Sequence, residues 1–159
     1  MPTSTMRRWL AATLLLLIAI PASAQTPEAE VRATIDHLFD GMRAGDSTAV
    51  RATFHNNATL SSSFSRQGTP MVHIGSVDDF VNAVGTPHDQ VWNEKIWDVQ
   101  IFVRDNLAVA WMDYGFFLGD QFSHCGVNSF QLVRTADGWK TLHIVDTRRQ
   151  EGCDVPEEG

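Results

Sequence analysis

Four long strand-like stretches in the C-terminal half constrain the fold of this chain more than any other feature. They are rich in β-branched and aromatic residues and cover residues 91–104, 107–118, 121–134 and 139–149. Short turn sequences separate them, at Asp105-Asn106, Gly119-Asp120 and Ala136-Asp137-Gly138. Strands joined by such short turns pair as antiparallel hairpins, so this half predicts a meander of long strands that twist and curl.

The residues before the meander predict three helices and two short strands. Helix-capping residues mark the helix starts, and Gly45 marks the end of the first helix. The predicted elements are a helix from Pro27, a helix capped by Asp46 or Ser47 that runs through Phe54, a turn at Asn56-Asn57, strands over 58–64 and 71–74, and a helix over 77–84. Because helices and strands do not strictly alternate, the pattern indicates an α+β fold with a largely antiparallel sheet.

Residues 1–24 have the pattern of a secretory signal peptide. Arg7 and Arg8 precede an apolar run of about a dozen residues, which is too short to span a bilayer, and Ala22-Ser23-Ala24 is a typical cleavage site. We therefore predict a mature chain from Gln25 that is periplasmic or secreted, with no membrane attachment after cleavage. The net charge of −7 argues against binding to nucleic acid.

The chain contains two cysteines, Cys125 and Cys153. In an oxidising compartment such a pair favours a disulfide, and their spacing fits no zinc motif. Residues 153–159 are predicted to form an acidic tail. The sequence contains no HxH, HExxH, nucleotide-binding or nucleophile-elbow motif, so we expect neither a metal site nor a cofactor.

Three stretches, over residues 31–60, 106–134 and 136–149, resemble the nuclear transport factor 2-like superfamily in its SnoaL-like and lumazine-binding-like branches. They contain two opening helices with Gly45-Asp46 between them, and a closing Asp-Gly-Trp-Lys strand. The resemblance implies that residues 25–152 form a cone-shaped curved antiparallel sheet, wrapped over about three helices from the N-terminal half, with a pocket at the open end. It also implies a homodimer through the outer face of the sheet.

The hairpin turns predict which residues face the pocket. With Gly119-Asp120 as the first turn, Trp111 lies opposite Asn128, and with Asp137-Gly138 as the second, Asn128 lies opposite Thr147. Directly paired residues share a face. The predicted inner face holds Val109, Trp111, Asp113, Phe117, Phe122, His124, Asn128, Phe130, Leu132, His143, Val145 and Thr147. The predicted outer face carries an apolar patch of Met112, Tyr114, Phe116, Cys125 and Val127.

This register predicts a polar band inside the cone. The predicted ligand-binding residues are Trp111, Asp113, His124, Asn128, His143 and Thr147. Asp113 and His124 are diagonal neighbours and form a candidate acid–base pair, whereas His143, the third catalytic candidate, lies too far along the strands to act with Asp113. The sequence favours somewhat the alternative that Asp113, His124 and His143 are satisfied polar residues of a half-buried sheet.

Three functions remain open on the sequence alone. The first is an exported protein that binds a small, partly apolar ligand without a cofactor. The second is a cofactor-independent lyase or isomerase that uses Asp113 and His124. The third is a dimeric protein-interaction module whose cone is filled by its own aromatic side chains.

Overall fold

The structure is a computed structural model that describes residues 25–156. The predicted signal peptide lies outside these residues. The described chain contains three helices and six strands, as predicted, in an α+β arrangement. Their bounds are α1 Pro27–Ala44, α2 Ser47–Thr53, β1 Phe54–Arg66, β2 Thr69–Gly75, α3 Val77–Gly85, β3 Trp92–Arg104, β4 Leu107–Leu118, β5 Gln121–Thr135 and β6 Gly138–Arg148.

Each helix begins at a side-chain cap that the sequence marks. The Thr26 hydroxyl accepts a hydrogen bond from the Ala29 amide at 3.2 Å, and the Ser76 hydroxyl accepts one from the Asp79 amide at 3.2 Å. The cap of α2 is Asp46, whose carboxylate accepts from the Ala49 amide at 2.9 Å. Such caps satisfy amide groups that have no partner within the helix, which fixes where each helix starts.

The six strands form one curved sheet in the order β2-β1-β6-β5-β4-β3. All neighbouring strands pair antiparallel except β1 and β6, which pair parallel, so the sheet is mixed. The turn predicted at Asn56-Asn57 is wrong, because both residues lie within β1. The pairing of β1 with β6 shifts register between Phe54 and Thr59, so the two asparagines occupy an irregular part of that strand.

The helices cover the inner face of the sheet and form the core with it. The buried side chains of α1 and α3 include Val31, Ile35 and Val84, and those of the sheet include Ala110, Met112, Phe130 and Leu132. No helix among residues 25–156 is long and apolar enough to cross a membrane. The predicted disulfide is confirmed, and it joins Cys125 to Cys153 across a separation of 28 residues.

The predicted register holds only next to the first hairpin turn. Leu118 pairs with Gln121 and Phe117 with Phe122, but the next pair is Phe116 with His124, so Ser123 is an extra residue in β5. A one-residue bulge reverses the face of every residue beyond it on one strand relative to its neighbour. The predicted pairs from Gly115 to Val109 are therefore wrong by one position.

The second hairpin departs from its prediction in two ways. Its turn is Ala136-Asp137, with Thr135 paired to Gly138, rather than Asp137-Gly138. The register then shifts at an extra residue, Leu142, so Asn128 pairs with Asp146 instead of Thr147.

These shifts exchange the inner and outer faces of several strands. Met112 and Tyr114, predicted on the outer face, are 0% and 1% exposed and point inward, together with Phe116. Trp111, predicted inside, points outward and is 51% exposed. The other residues that move from the predicted inner face to the outer face are Val109, Asp113, Phe117, Phe122, His143, Val145 and Thr147.

Candidate functional site

A cavity of about 690 Å³ lies between the helices and the inner face of the sheet. One side of it is apolar, and the side chains there come from α1, α3 and the central strands. They include Leu38, Phe39, Leu60, Phe80, Phe130 and Ile144. The volume falls in the range of small-molecule sites, and an apolar wall of this kind suits the apolar body of a small organic ligand.

Polar side chains line an adjoining side of the cavity, next to the row of Leu60, Ile144 and Phe130 on the inner face of the sheet. Five neighbouring strands supply them, because the inner face of a curved sheet directs alternate residues of each strand toward one space. They are Ser62, Glu94, Tyr114, His124, Asn128, Asp146 and Arg148.

Asp146 is the centre of a hydrogen-bond network in this polar side. Its carboxylate accepts from the Ser62 hydroxyl at 2.5 Å and from Arg148 Nε at 2.6 Å. The Tyr114 hydroxyl lies 3.2 Å from Asp146 Oδ2 and 2.9 Å from the Thr147 carbonyl oxygen. Asp146 is only 8% exposed, so these partners stabilise a carboxylate that burial alone would strongly disfavour.

The Thr147 carbonyl reaches Tyr114 because Gly126 leaves room for it. A Cβ atom at position 126 would lie 1.8 Å from that carbonyl oxygen and 2.9 Å from the Tyr114 ring. No side chain fits at such distances. Gly126 therefore permits the close approach of β6 that completes the network.

Glu94 is the other carboxylate of the polar side. Its Oε1 accepts from Asn128 Nδ2 at 2.7 Å, and Glu94 forms no ion pair within residues 25–156. Burial raises the pKa of Glu94 from 4.5 to about 7, and repulsion from Asp146 adds to this, while the Asn128 hydrogen bond and Arg148 act in the opposite direction. At neutral pH its protonated and ionised forms are therefore both populated.

His124 lies beside the network in an aromatic setting. Its ring centroid is 5.7 Å from that of Tyr114 and 5.2 Å from that of Phe116, and its Nδ1 is 3.0 Å from the Ser123 hydroxyl. Burial and the positive charge of Arg148 lower the pKa of His124, against a smaller opposing effect of Asp146. His124 is therefore a neutral imidazole at pH 7, able to accept or donate one hydrogen bond.

Only two of the six predicted ligand-binding residues, His124 and Asn128, line the cavity. Asp113 pairs with Val127 on the outer face, so the predicted Asp113–His124 pair does not form. The Thr147 hydroxyl accepts from the Val127 amide at 2.9 Å, and His143 Nδ1 contacts the Thr59 hydroxyl. Trp111 is also outside the cavity.

Five residues of the polar side were missed by sequence reasoning: Ser62, Glu94, Tyr114, Asp146 and Arg148. Tyr114, Asp146 and Arg148 were passed over because the register placed them on the wrong face. Ser62 and Glu94 were missed because the register was not extended to β1 and β3. One sequence signal was available: Ala108, Ala110 and Met112 alternate with larger or polar residues in β4, as expected for positions under a helix. Within residues 25–156, no three His, Cys, Asp or Glu side chains cluster as metal ligands.

Comparisons with known proteins agree with this architecture. The sequence profile of a family described as "Putative lumazine-binding" matches residues 26–145. No curated protein matches the chain.

Two similar solved structures are nuclear transport factor 2-like proteins. That of Shewanella baltica, of unknown function, is 15% identical with a TM-score of 0.58, over 76% of this chain and 92% of that one. That of Novosphingobium aromaticivorans, with a cystatin-like fold, is 13% identical with a TM-score of 0.62, over 79% and 83%.

A third similar structure is a "putative dehydratase" of the same family from Streptomyces avermitilis. It is 14% identical to this chain, with a TM-score of 0.57 over 77% of this chain and 95% of that one. At this level of identity the structures establish a shared fold, and the chemistry has to be argued from this chain's own residues.

Proposed function

This chain belongs to the nuclear transport factor 2-like superfamily, in its lumazine-binding-like branch, and from that premise we propose that it is an exported protein that binds a small, partly apolar molecule without a cofactor. The observation that carries the proposal is the cavity of about 690 Å³, with an apolar wall beside a set of hydrogen-bonded polar groups. Such a division suits a ligand with an apolar body and a polar head.

Export is supported by two independent features. The sequence begins with a segment typical of secretory signals, and Cys125 is bridged to Cys153. Disulfides of this kind persist in oxidising compartments and are rare in the cytosol.

Dye binding tests the pocket directly. N-phenyl-1-naphthylamine, an apolar fluorescent probe, is expected to bind the mature protein with a rise in emission. Ala83 lines the cavity from α3, so Ala83→Phe fills part of it and is expected to weaken dye binding at least tenfold. Ala52→Phe, at an exposed position of α2 away from the cavity, is the matched control. Unchanged dye binding in a folded Ala83→Phe variant would contradict the proposal.

A second candidate function is a cofactor-independent lyase or isomerase. The observation that favours it is the Glu94 carboxyl, whose pKa of about 7 suits a group that takes up and gives back a proton at neutral pH. Here Glu94, rather than Asp113, acts as the acid–base group beside His124. The test is turnover of co-purified ligand: Glu94→Gln is expected to abolish it, and Asp113→Asn to leave it unchanged.

The third candidate, an interaction module, predicts a filled cone, and the cavity argues against that.

A homodimer through the outer sheet face remains part of the proposal, on a corrected set of residues. Phe102, Val109 and Trp111 are 64%, 38% and 51% exposed, and Phe102 and Val109 are cross-strand partners. An exposed apolar cluster of this kind is typical of a protein interface. Native mass spectrometry is expected to show a dimer for the mature protein and a monomer for Trp111→Glu. A monomeric parent protein would contradict this part of the proposal.

A further inference from the structure

The cavity contains a carboxylate, that of Glu94, which forms no ion pair with a cation among residues 25–156. Within the described residues, Arg148 is the one arginine or lysine that lines the cavity, together with the histidines His73 and His124, and Arg148 Nε is hydrogen-bonded to Asp146 at 2.6 Å. Among residues 25–156, the neutral amide of Asn128 is the one side-chain hydrogen-bond partner of Glu94. Asp79 also lines the cavity, but it is exposed, so water screens its charge.

The charged groups on the elements around Glu94 are engaged with other partners, and none of those in residues 25–156 forms an ion pair with Glu94. On α1, Arg43 is bonded to Asp40 and to Asn93, and Arg32 to Asp36. Lys95, the next residue of β3, has its amine 4.9 Å from the centre of the Phe117 ring. The titratable groups that line the cavity with Glu94 from the other strands are His73 on β2, Tyr114 on β4, His124 on β5, and Asp146 and Arg148 on β6. Asp146 raises the pKa of Glu94, and the hydrogen bond from Asn128 and the charge of Arg148 lower it.

We propose that the natural ligand is an organic cation, an amine with an apolar body, whose ammonium group pairs with Glu94 while its body packs against the aromatic wall. The proposal rests on the proposed pocket function and names the chemical class of its ligand. Asn128 bonds to one oxygen of Glu94, and no donor within residues 25–156 bonds to Oε2. That oxygen is the acceptor for the ammonium group.

The apolar wall accepts the body of such an amine. Phe39 and Phe130 pack edge to face with their centroids 6.1 Å apart, and Phe80 lines the cavity from α3. Burial of the apolar body of a ligand against these rings is favourable and leaves its charged end for Glu94. An anionic ligand would be repelled by the charge of Glu94, and an uncharged ligand would gain no ion pair with it.

The proposal fixes the direction of the pH dependence. The ammonium group pairs with ionised Glu94, and a primary amine stays protonated well above pH 8, like that of lysine. Glu94 has a pKa of about 7, so its ionised fraction rises about tenfold between pH 6 and pH 8. Amine affinity is expected to rise by the same factor, and binding below pH 7 is expected to release a proton from the protein.

Three probes of matched shape test the charge preference: 1-naphthylmethylamine, 1-naphthylmethanol and 1-naphthoate. We expect the amine to bind to the mature protein at pH 8 roughly 10- to 100-fold more tightly than the alcohol, and the alcohol more tightly than the carboxylate. Calorimetry in two buffers with different ionisation enthalpies measures the released proton. Equal affinities for amine and alcohol would overturn the proposal.

Two matched variants assign the effect to one carboxylate. Glu94→Gln keeps the shape of the side chain and removes its charge, so amine affinity is expected to fall at least tenfold and to lose its pH dependence, with alcohol affinity unchanged. Glu28→Gln, on the exposed first turn of α1, makes the same chemical change away from the cavity and is expected to behave like the parent protein. Full amine affinity in Glu94→Gln would overturn the proposal.

Failure of this inference is distinguishable from failure of the pocket function. If the alcohol and N-phenyl-1-naphthylamine bind but the amine gains nothing, the pocket stands and the cation preference is wrong. If none of these probes binds to the folded protein, the pocket function fails, and the inference fails with it.

Discussion

Replacing Cys153 by serine is expected to destabilise the mature protein by about 3.6 kcal/mol, because the unfolded chain gains conformational entropy when the disulfide is absent. The bridge to Cys125 closes a loop of 28 residues, and the chain-entropy relation for a loop of that length gives this value at 25 °C. Cys153 is the better position to change, since Cys125 is 2% exposed and its replacement would add a packing cost of its own.

The disulfide also holds the residues that follow Cys153 in a packed position. The free energy of this packing has to be measured separately from the loop-entropy effect of the disulfide. Val155, two residues after Cys153, packs on the backbone of Gly115, where a Cβ atom would be 3.1 Å from the valine Cγ2. Val155→Ala in the oxidised protein measures this contact by itself. Because Val155 is half-buried, we expect that change to cost about 1 kcal/mol.

Urea unfolding with and without reductant distinguishes the two contributions. Reductant is expected to lower the free energy of unfolding of the parent protein to the level of Cys153→Ser and to leave the variant unchanged. The slope with urea is expected to be larger without the bridge, because the open unfolded chain exposes more surface. A Cys153→Ser variant within about 1 kcal/mol of the oxidised parent would refute the loop-entropy reasoning.

Three further predictions concern the polar side of the cavity. Gly126→Ala is expected to cost about 3 kcal/mol in urea unfolding, because its Cβ would clash with the Thr147 carbonyl, whereas Gly75→Ala, with its nearest neighbour at 3.6 Å, is expected to cost about 1 kcal/mol or less. Because the pKa of Glu94 is raised from 4.5 to about 7, its contribution to stability is present below pH 4.5 and is lost as the pH rises through 7. The loss is up to about 3 kcal/mol, and Glu94→Gln should remove this part of the pH dependence of unfolding. Asp146→Asn is expected to lower the pKa of Glu94, because it removes a repelling charge, and carbon-detected NMR titration of the Glu94 carboxyl measures the change.

The helices and the strand order of the meander were predictable because their signals are local. A capping hydroxyl or carboxylate at Thr26, Asp46 or Ser76 acts on amides within one turn, so a few adjacent residues contain the whole cause. The two-residue turns at Asp105-Asn106 and Gly119-Asp120 act over the same short range. In each case the element that followed begins or ends within a residue of its predicted position.

The composition of the candidate site was less predictable because it depends on register over many residues. Asn128 and His124 were placed correctly in the cavity, but their neighbours were not. Tyr114 replaces Asp113 on the inner face and Asp146 replaces Thr147, so the polar side acquires a buried carboxylate network instead of the predicted aspartate–histidine pair.

The bulges that cause these errors are also what shapes the cavity. Each pairing of the meander contains one extra residue: Ser123 in β5, Leu142 in β6, and one within Asp98–Val99 of β3, where Asp98 has a φ of 49°. A bulge bends its strand and increases the local twist, which lets a long antiparallel sheet curl around helices. A sequence reading that assumes regular strands therefore exchanges the two faces wherever the sheet bends. The pocket of this fold is formed by that bending. The residues of the site are therefore the ones that a prediction from regular strands most often assigns to the wrong face.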